Sequence, residues 1–166
     1  MATVTLQGNP VAVTGDLPAI GSLAPAFSLV GADLSPVSLS DFSGKKLILN
    51  IFPSVDTGTC AASTRQFNTS MNERDDVTVL CVSQDLPFAF ARFCGAEGLD
   101  RVKTASAFRS ESFMTDYGVA IADGALMGLC ARAVVVIDET GKVIHTELVA
   151  EIADEPNYDA ALKAVA

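Results

Sequence analysis

The sequence has no C-x-x-C pair, a single histidine and no basic residue before Lys45, and each shortage removes a class of function. Cysteines at 60, 81, 94 and 130 are spaced too widely for a structural zinc site, and His145 is the lone imidazole. No metal and no cofactor is expected. A secretory signal needs positive charge ahead of its apolar core, which a chain whose first basic residue is Lys45 does not offer. The uncharged stretch 17–32 is broken by Pro18, Gly21, Pro25 and Gly31, and no apolar run reaches the roughly 18 residues of a bilayer span. A cytoplasmic chain without a membrane partner is expected, and in that reducing compartment the cysteines are either small core residues or reactive thiols. Positive charge is scarce as well. With 11 Lys and Arg against 20 Asp and Glu the net charge is −9, so nucleic acid would be repelled.

What is present describes a globular chain. Of 166 residues 49% are hydrophobic and 19% charged, which is enough to bury about two-thirds of the surface around one core. Without repeats or a linker-like tract, residues 1–166 read as a single domain. Residues 3–6 and 11–13 alternate around Gln7-Gly8-Asn9-Pro10, a pattern that predicts an N-terminal β-hairpin. The nearly unbroken apolar run 46–52 predicts a strand buried on both faces, stopped by Pro53. A helix follows from about Thr59, with Glu73 and Arg74 near its end. Residues 77–82 predict a second buried strand, after which Asp85 is placed to cap a helix that carries Phe88, Phe90, Phe93 and Cys94 and ends at Gly95. Further strands are expected near 27–30, 102–104, 131–137 and 142–149, with helices near 110–117 and from Pro156. Early alternation of strands and helices, then a late hairpin, implies an α/β fold whose mixed central sheet is flanked by helices on both faces.

Cys60 is the strongest nucleophile candidate. It stands just after a buried strand and in the first turn of a helix, where unpaired N–H groups and the positive end of the helix dipole favour thiolate over thiol. A buried, inert cysteine fits the composition equally well. The segment Pro53-Ser54-Val55-Asp56-Thr57-Gly58-Thr59-Cys60 favours chemistry. The Thr57 hydroxyl lies three residues before the thiol, placed to donate to sulfur or relay a hydrogen bond, and Pro53 removes a backbone donor and can shield the sulfur. Arg132 runs straight into the interior stretch 133–137, where an arginine needs a partner. Cys94 beside Phe93 reads by itself as packing. Cys81 reads as core, His145 as an ordinary strand residue, and the stripe Phe88, Phe90, Phe93 as mainly core with a possible share in a pocket entrance or a dimer contact. Cys130 reads as packing, on the Arg132 side of the strand if 130–136 is extended throughout.

The P-x-x-x-T-x-x-C spacing resembles that of the peroxiredoxins, and neighbouring segments narrow the resemblance to the bacterial thiol peroxidases. These are Gln7-Gly8-Asn9-Pro10, Asn50-Ile51-Phe52-Pro53-Ser54, Cys60-Ala61-Ala62-Ser63, Asp85-Leu86-Pro87-Phe88-Ala89, Arg92-Phe93-Cys94, Gly118-Val119 and Ala131-Arg132-Ala133-Val134. The resemblance implies a thioredoxin-like fold with an N-terminal hairpin and an atypical two-cysteine peroxidase acting as a homodimer. It implies Cys60 as peroxidatic cysteine, Cys94 as resolving cysteine, and Pro53, Thr57 and Arg132 as the rest of the pocket. It also implies hydrogen peroxide and organic hydroperoxides as substrates and thioredoxin as reductant. Two other readings compete. A disulfide reductase is disfavoured because Ser63 stands where its second cysteine would. A non-catalytic peroxide sensor would use the same chemistry at Cys60 and pass the oxidation to a partner protein.

Overall fold

The computed structural model describes residues 2–71 and 74–166. The chain opens with a hairpin, β1 (Ala2–Leu6) and β2 (Asn9–Thr14), turned by Gln7 and Gly8 at φ 52° and 83°. A two-residue turn with both φ values positive matches the twist of the strands it joins, and glycine adopts it without strain. Then come β3 (Ser28–Gly31), β4 (Pro36–Ser38), β5 (Lys46–Ile51), α1 (Gly58–Ser70), β6 (Val77–Ser83), α2 (Pro87–Glu97) and β7 (Val102–Ser106). The last third holds α3 (Phe113–Asp116), β8 (Ala120–Ile121), β9 (Ala133–Ile137), β10 (Val143–Leu148) and α4 (Tyr158–Ala164).

Strands β1, β2 and β8 form a small sheet of their own, and the other seven lie in the order β10-β9-β5-β6-β7-β3-β4. Because β5, β6 and β7 are parallel while β9 runs antiparallel to β5, the main sheet is mixed, as its sequence pattern predicts. The pleat sends alternate residues to two cores. Ile48, Phe52, Val79, Val134 and Val136 face α1, α2 and α4, meeting Cys60, Phe67, Phe90, Phe93 and Ala161. Leu47, Leu49, Leu80, Val82 and Val135 face the other way, onto Phe113 and Tyr117 and onto Val4, Val11 and Val13 of the hairpin. Strands β5 and β6 are buried on both faces, which is why they read as unbroken apolar runs.

Several boundaries differ from expectation. Helix α2 continues past Gly95 to Glu97, since the left-handed cap it needs comes at Gly98, φ 66°, whose N–H donates to the Cys94 carbonyl. Asp85 does not cap that helix: the capping position is Leu86, without a side-chain bond, and the Asp85 carboxylate is engaged elsewhere. Glu73 lies outside the described residues, and Arg74 stands beyond α1, where it pairs with Asp76 at 2.9 Å. The helix expected over 110–117 shortens to α3, and the last helix begins at Tyr158, where Asn157 accepts from the Ala160 N–H at 3.0 Å. Strand β9 begins at Ala133, so the extended run does not reach Cys130, which instead bridges to Ala120 and packs in the core beneath the hairpin. Only Phe90 and Phe93 of the aromatic stripe are core residues, while Phe88 is 65% exposed.

The topology gathers one set of chain ends. Parallel strands put the C-terminal ends of β5, β6 and β7 together, with Ile51 beside Val82 and Ser83 beside Ser106. Antiparallel β9 brings its beginning to the same end, with Ala133 beside Ile51. Loops at such an end are where an α/β sheet builds its sites.

Candidate active site

From Ile51 the chain passes through Phe52, whose N–H still donates to Val82 at 3.1 Å, and at Pro53 it leaves the sheet. A tight turn follows. The Ser54 carbonyl accepts from both the Thr57 N–H at 3.2 Å and the Thr57 hydroxyl at 3.0 Å. Thr57 then caps α1, its Oγ1 accepting from the Cys60 N–H at 3.4 Å. The hydroxyl therefore serves the turn and the helix start here, giving its proton to a carbonyl and a lone pair to the N–H of the residue that carries the thiol. Cys60 lies in the first turn, where backbone N–H groups have no helical carbonyl ahead of them. Its side chain is fully buried.

Arg132 immediately precedes β9 and is also buried, 2% exposed. Its Nε donates to the Ile152 carbonyl at 2.8 Å, while Nη1 is buried with no hydrogen-bond partner. An unpartnered guanidinium N–H inside a protein is costly unless something fills it, and the developing negative charge of a leaving alkoxide would do so. The next residue along, Ala153, accepts from the Thr59 hydroxyl at 2.9 Å. One short segment thus holds Arg132 through Ile152 and the first turn of α1 through Ala153. That segment is itself fixed to the hairpin: Glu151 accepts from the Gly8 N–H at 2.9 Å, from the Thr5 hydroxyl at 3.0 Å and from the Ala153 N–H at 2.9 Å. These bonds hold the Glu151 carboxyl down at about 2, led by the N–H groups of Ala153 and Gly8.

Known proteins resemble this chain over nearly its whole length. The redoxin family model matches residues 19–162. A thiol peroxidase from Mycobacterium bovis is 59% identical over 165 residues, covering 99% of each chain, and one from Mycobacterium tuberculosis matches to the same extent. The chain belongs to the thiol peroxidases of the redoxin family. Two solved structures agree with this in three dimensions. A peroxiredoxin-like protein from Aquifex aeolicus gives a TM-score of 0.94 at 41% identity over 99% of this chain and 96% of its own. A thiol peroxidase from Chromobacterium violaceum gives 0.90 at 25% identity over 97% and 93%. The fold is thioredoxin-like, and the activity is thiol-dependent reduction of peroxide, which decides between the enzyme and sensor readings.

Four thiols are free in this thiol peroxidase. Cys94 is half-buried on α2, packed against the same apolar cluster that contains Cys60, and burial raises its pKa. Cys81 is fully buried on β6, and desolvation pushes its thiol up to about 12 despite bonds from Asn50 and Thr64 that oppose the shift. Cys130, in the opposite core, is pushed up to about 12 by burial and then by the charge of Asp85. Thiols so hard to ionise are poor nucleophiles, which suits packing roles for both. His145 is a part-buried residue of β10. No helix among the described residues is long and apolar enough to cross a membrane.

Two features of the site were not assigned to it from sequence. Residues 151–153 sit far from both Cys60 and Arg132 along the chain, and nothing in their composition advertises the carbonyls they present. Asp85 was visible as a polar residue after an apolar strand, together with Ser54 and Ser83, but its partner is a loop rather than a helix end.

Proposed function

We propose that Cys60 is the peroxidatic cysteine, that Cys94 resolves it within the same chain, and that thioredoxin returns the pair to dithiol. Cys60 thiolate attacks one peroxide oxygen: an S–O bond forms, the O–O bond breaks, and the alcohol or water leaves with a proton while sulfur loses two electrons. The Cys94 thiol then attacks the sulfenic sulfur, forming S–S as the S–O bond breaks and water departs with the Cys94 proton. A thioredoxin dithiol supplies two electrons and two protons to reopen the disulfide. Thr57 and Pro53 shape the loop, and Arg132 neutralises the leaving oxygen. Hydrogen peroxide and organic hydroperoxides are the substrates, with the thiols carrying all the electrons and no cofactor or metal taking part.

The observation that carries this reading is the buried Arg132 guanidinium with an unpartnered Nη1, tied through residues 152 and 153 to the helix turn that holds Cys60. The two thiols lie on separate helices and are both free, and a disulfide needs Cα atoms within about 7 Å, so the scheme includes a local unwinding of α2 that brings Cys94 to Cys60. Residues 1–166 act as one cytoplasmic domain. Two copies pair through the apolar surface around exposed Leu86 and Phe88 at the start of α2.

Mass spectrometry of peroxide-treated protein is expected to find a Cys60 to Cys94 link inside one chain, and thioredoxin is expected to sustain turnover with both peroxide classes. A link between chains, or no turnover with thioredoxin, overturns the scheme. Replacing Arg132 by methionine removes the group that meets the leaving oxygen. Its rate with peroxide is expected to fall by on the order of 100-fold, about 3 kcal/mol, even where the thiol is fully ionised. Stopped-flow or quench measurements across pH check this, and full recovery at high pH would leave Arg132 with no role beyond favouring the thiolate.

A further inference from the structure

We propose that the Asp85 carboxylate is a positioning group that clamps the peroxidatic loop to the entry of α2, so that one contact sets both the attack geometry of Cys60 and the release of the helix bearing Cys94. This rests on the roles assigned above to those two cysteines. Half-buried Asp85 follows β6 and gathers three chain segments. Its Oδ1 accepts from the Ser54 hydroxyl at 2.7 Å, and its Oδ2 accepts from the Val55 N–H at 2.7 Å and from the Ser83 hydroxyl. Its own N–H donates to Ser83 Oγ at 3.1 Å, and its carbonyl accepts from the hydroxyl of Ser106 at the end of β7. Bonds to an ionised acceptor are shorter and stronger than neutral ones, and three converge on this one carboxylate.

The path to the thiol is short. Ser54, pinned through its hydroxyl, offers the carbonyl that holds Thr57, and Thr57 caps the N–H of Cys60. Only two residues stand between the Asp85 carboxylate and the backbone of the nucleophile. In the other direction Asp85 immediately precedes Leu86 and Pro87, where α2 starts without a side-chain cap. A second tie joins loop and helix, Arg92 to Asp56 at 2.6 Å, but both partners are more than half exposed, at 62% and 57%. Such a pair holds weakly in water, so the half-buried carboxylate is the stronger of the two ties. The same charge helps to push up the Cys130 thiol, after burial.

A clamp of this kind makes opposite demands on the two chemical steps. Attack on peroxide benefits from a loop held in place, since a misplacement of about 1 Å costs on the order of 100-fold. Disulfide formation benefits from a helix that lets go. Loss of the carboxylate is therefore expected to slow the first step and quicken the second, a split that general loss of stability would not produce.

The test is quenched-flow mass spectrometry on the full chain, following the peroxide-dependent loss of the Cys60 thiol and the peroxide-independent formation of the disulfide. Asp85→Ala is expected to lower the first rate at least tenfold and to raise the second severalfold. Asp85→Asn should fall between, because the amide keeps an acceptor for the Val55 N–H and can donate to Ser54. Thermal melts establish that each variant is folded at the assay temperature; should Asp85→Ala not fold, Ser54→Ala and Ser83→Ala, each removing one bond to the carboxylate, are expected to show the same split in smaller measure. A folded variant with an unchanged first rate, or with both rates slowed, overturns the clamp alone. Peroxide consumption by Cys60→Ser at the parental rate, with oxidation appearing on another thiol, overturns the cysteine roles, and the clamp with them.

Discussion

Cys60→Ser is expected to abolish peroxide turnover while leaving the melting temperature close to that of the parent. A serine hydroxyl ionises far above neutral pH and is a poor nucleophile toward peroxide oxygen, so the helix start and Arg132 would have no thiolate to assist. The packing change is small. The site is fully buried and the substitution leaves a hydroxyl where the sulfur stood, at the end of a helix whose cap is provided by Thr57 rather than by the thiol itself. Loss of activity with an intact melting transition separates a chemical role from a packing one. Two of the remaining thiols serve as internal controls, since Cys81 and Cys130 are buried with their pKa values raised to about 12. Peroxide consumption by Cys60→Ser at even one-tenth of the parental rate would move the nucleophile elsewhere.

The parts of the site that could be read from the sequence are those that are local along the chain. Pro53, Thr57 and Cys60 lie within eight residues between a buried strand and a helix, so their juxtaposition follows from one turn and its cap. Arg132 was legible for a different reason, as a charge that enters an apolar strand and must be paired or used. The sheet itself was readable because β5 and β6, buried on both faces, leave an unmistakable composition, and because strand and helix periods differ. What escaped was carried by contacts between distant segments. Asp85 looks like a helix cap from its neighbours, yet its carboxylate has gone to Ser54 and Val55, about 30 positions earlier. Ile152 and Ala153 act through backbone carbonyls, which any residue possesses. Phe88 shares the composition of Phe90 and Phe93 but points outward, a distinction that depends on where α2 lies on the sheet.

In the Cys94→Ser variant the first reaction with peroxide is expected to proceed at near the parental rate, and catalysis with thioredoxin is expected to stop after about one equivalent. Cys94 takes no part in the turn of residues 53–60: its side chain packs against the apolar cluster beside α1, and its carbonyl closes the far end of α2 by accepting from Gly98 and from Leu99 at 3.0 Å. Those carbonyl bonds survive the substitution, because they belong to the backbone. The helix should therefore remain folded, with Arg65 still paired to Glu97 at 2.7 Å and set over the Phe93 ring. What disappears is the thiol that condenses with the sulfenic acid, so oxidised Cys60 persists and meets further peroxide. Sulfinic acid is then expected to accumulate on Cys60 in proportion to peroxide added, a mass gain that thioredoxin cannot reverse. The neighbouring Cys81 does not substitute, since burial in β6 keeps its thiol protonated and the strand cannot unwind as a helix turn can. Sustained turnover by Cys94→Ser would show that recycling does not need Cys94, and a Cys60 to Cys81 disulfide in its place would put the resolving thiol on the sheet.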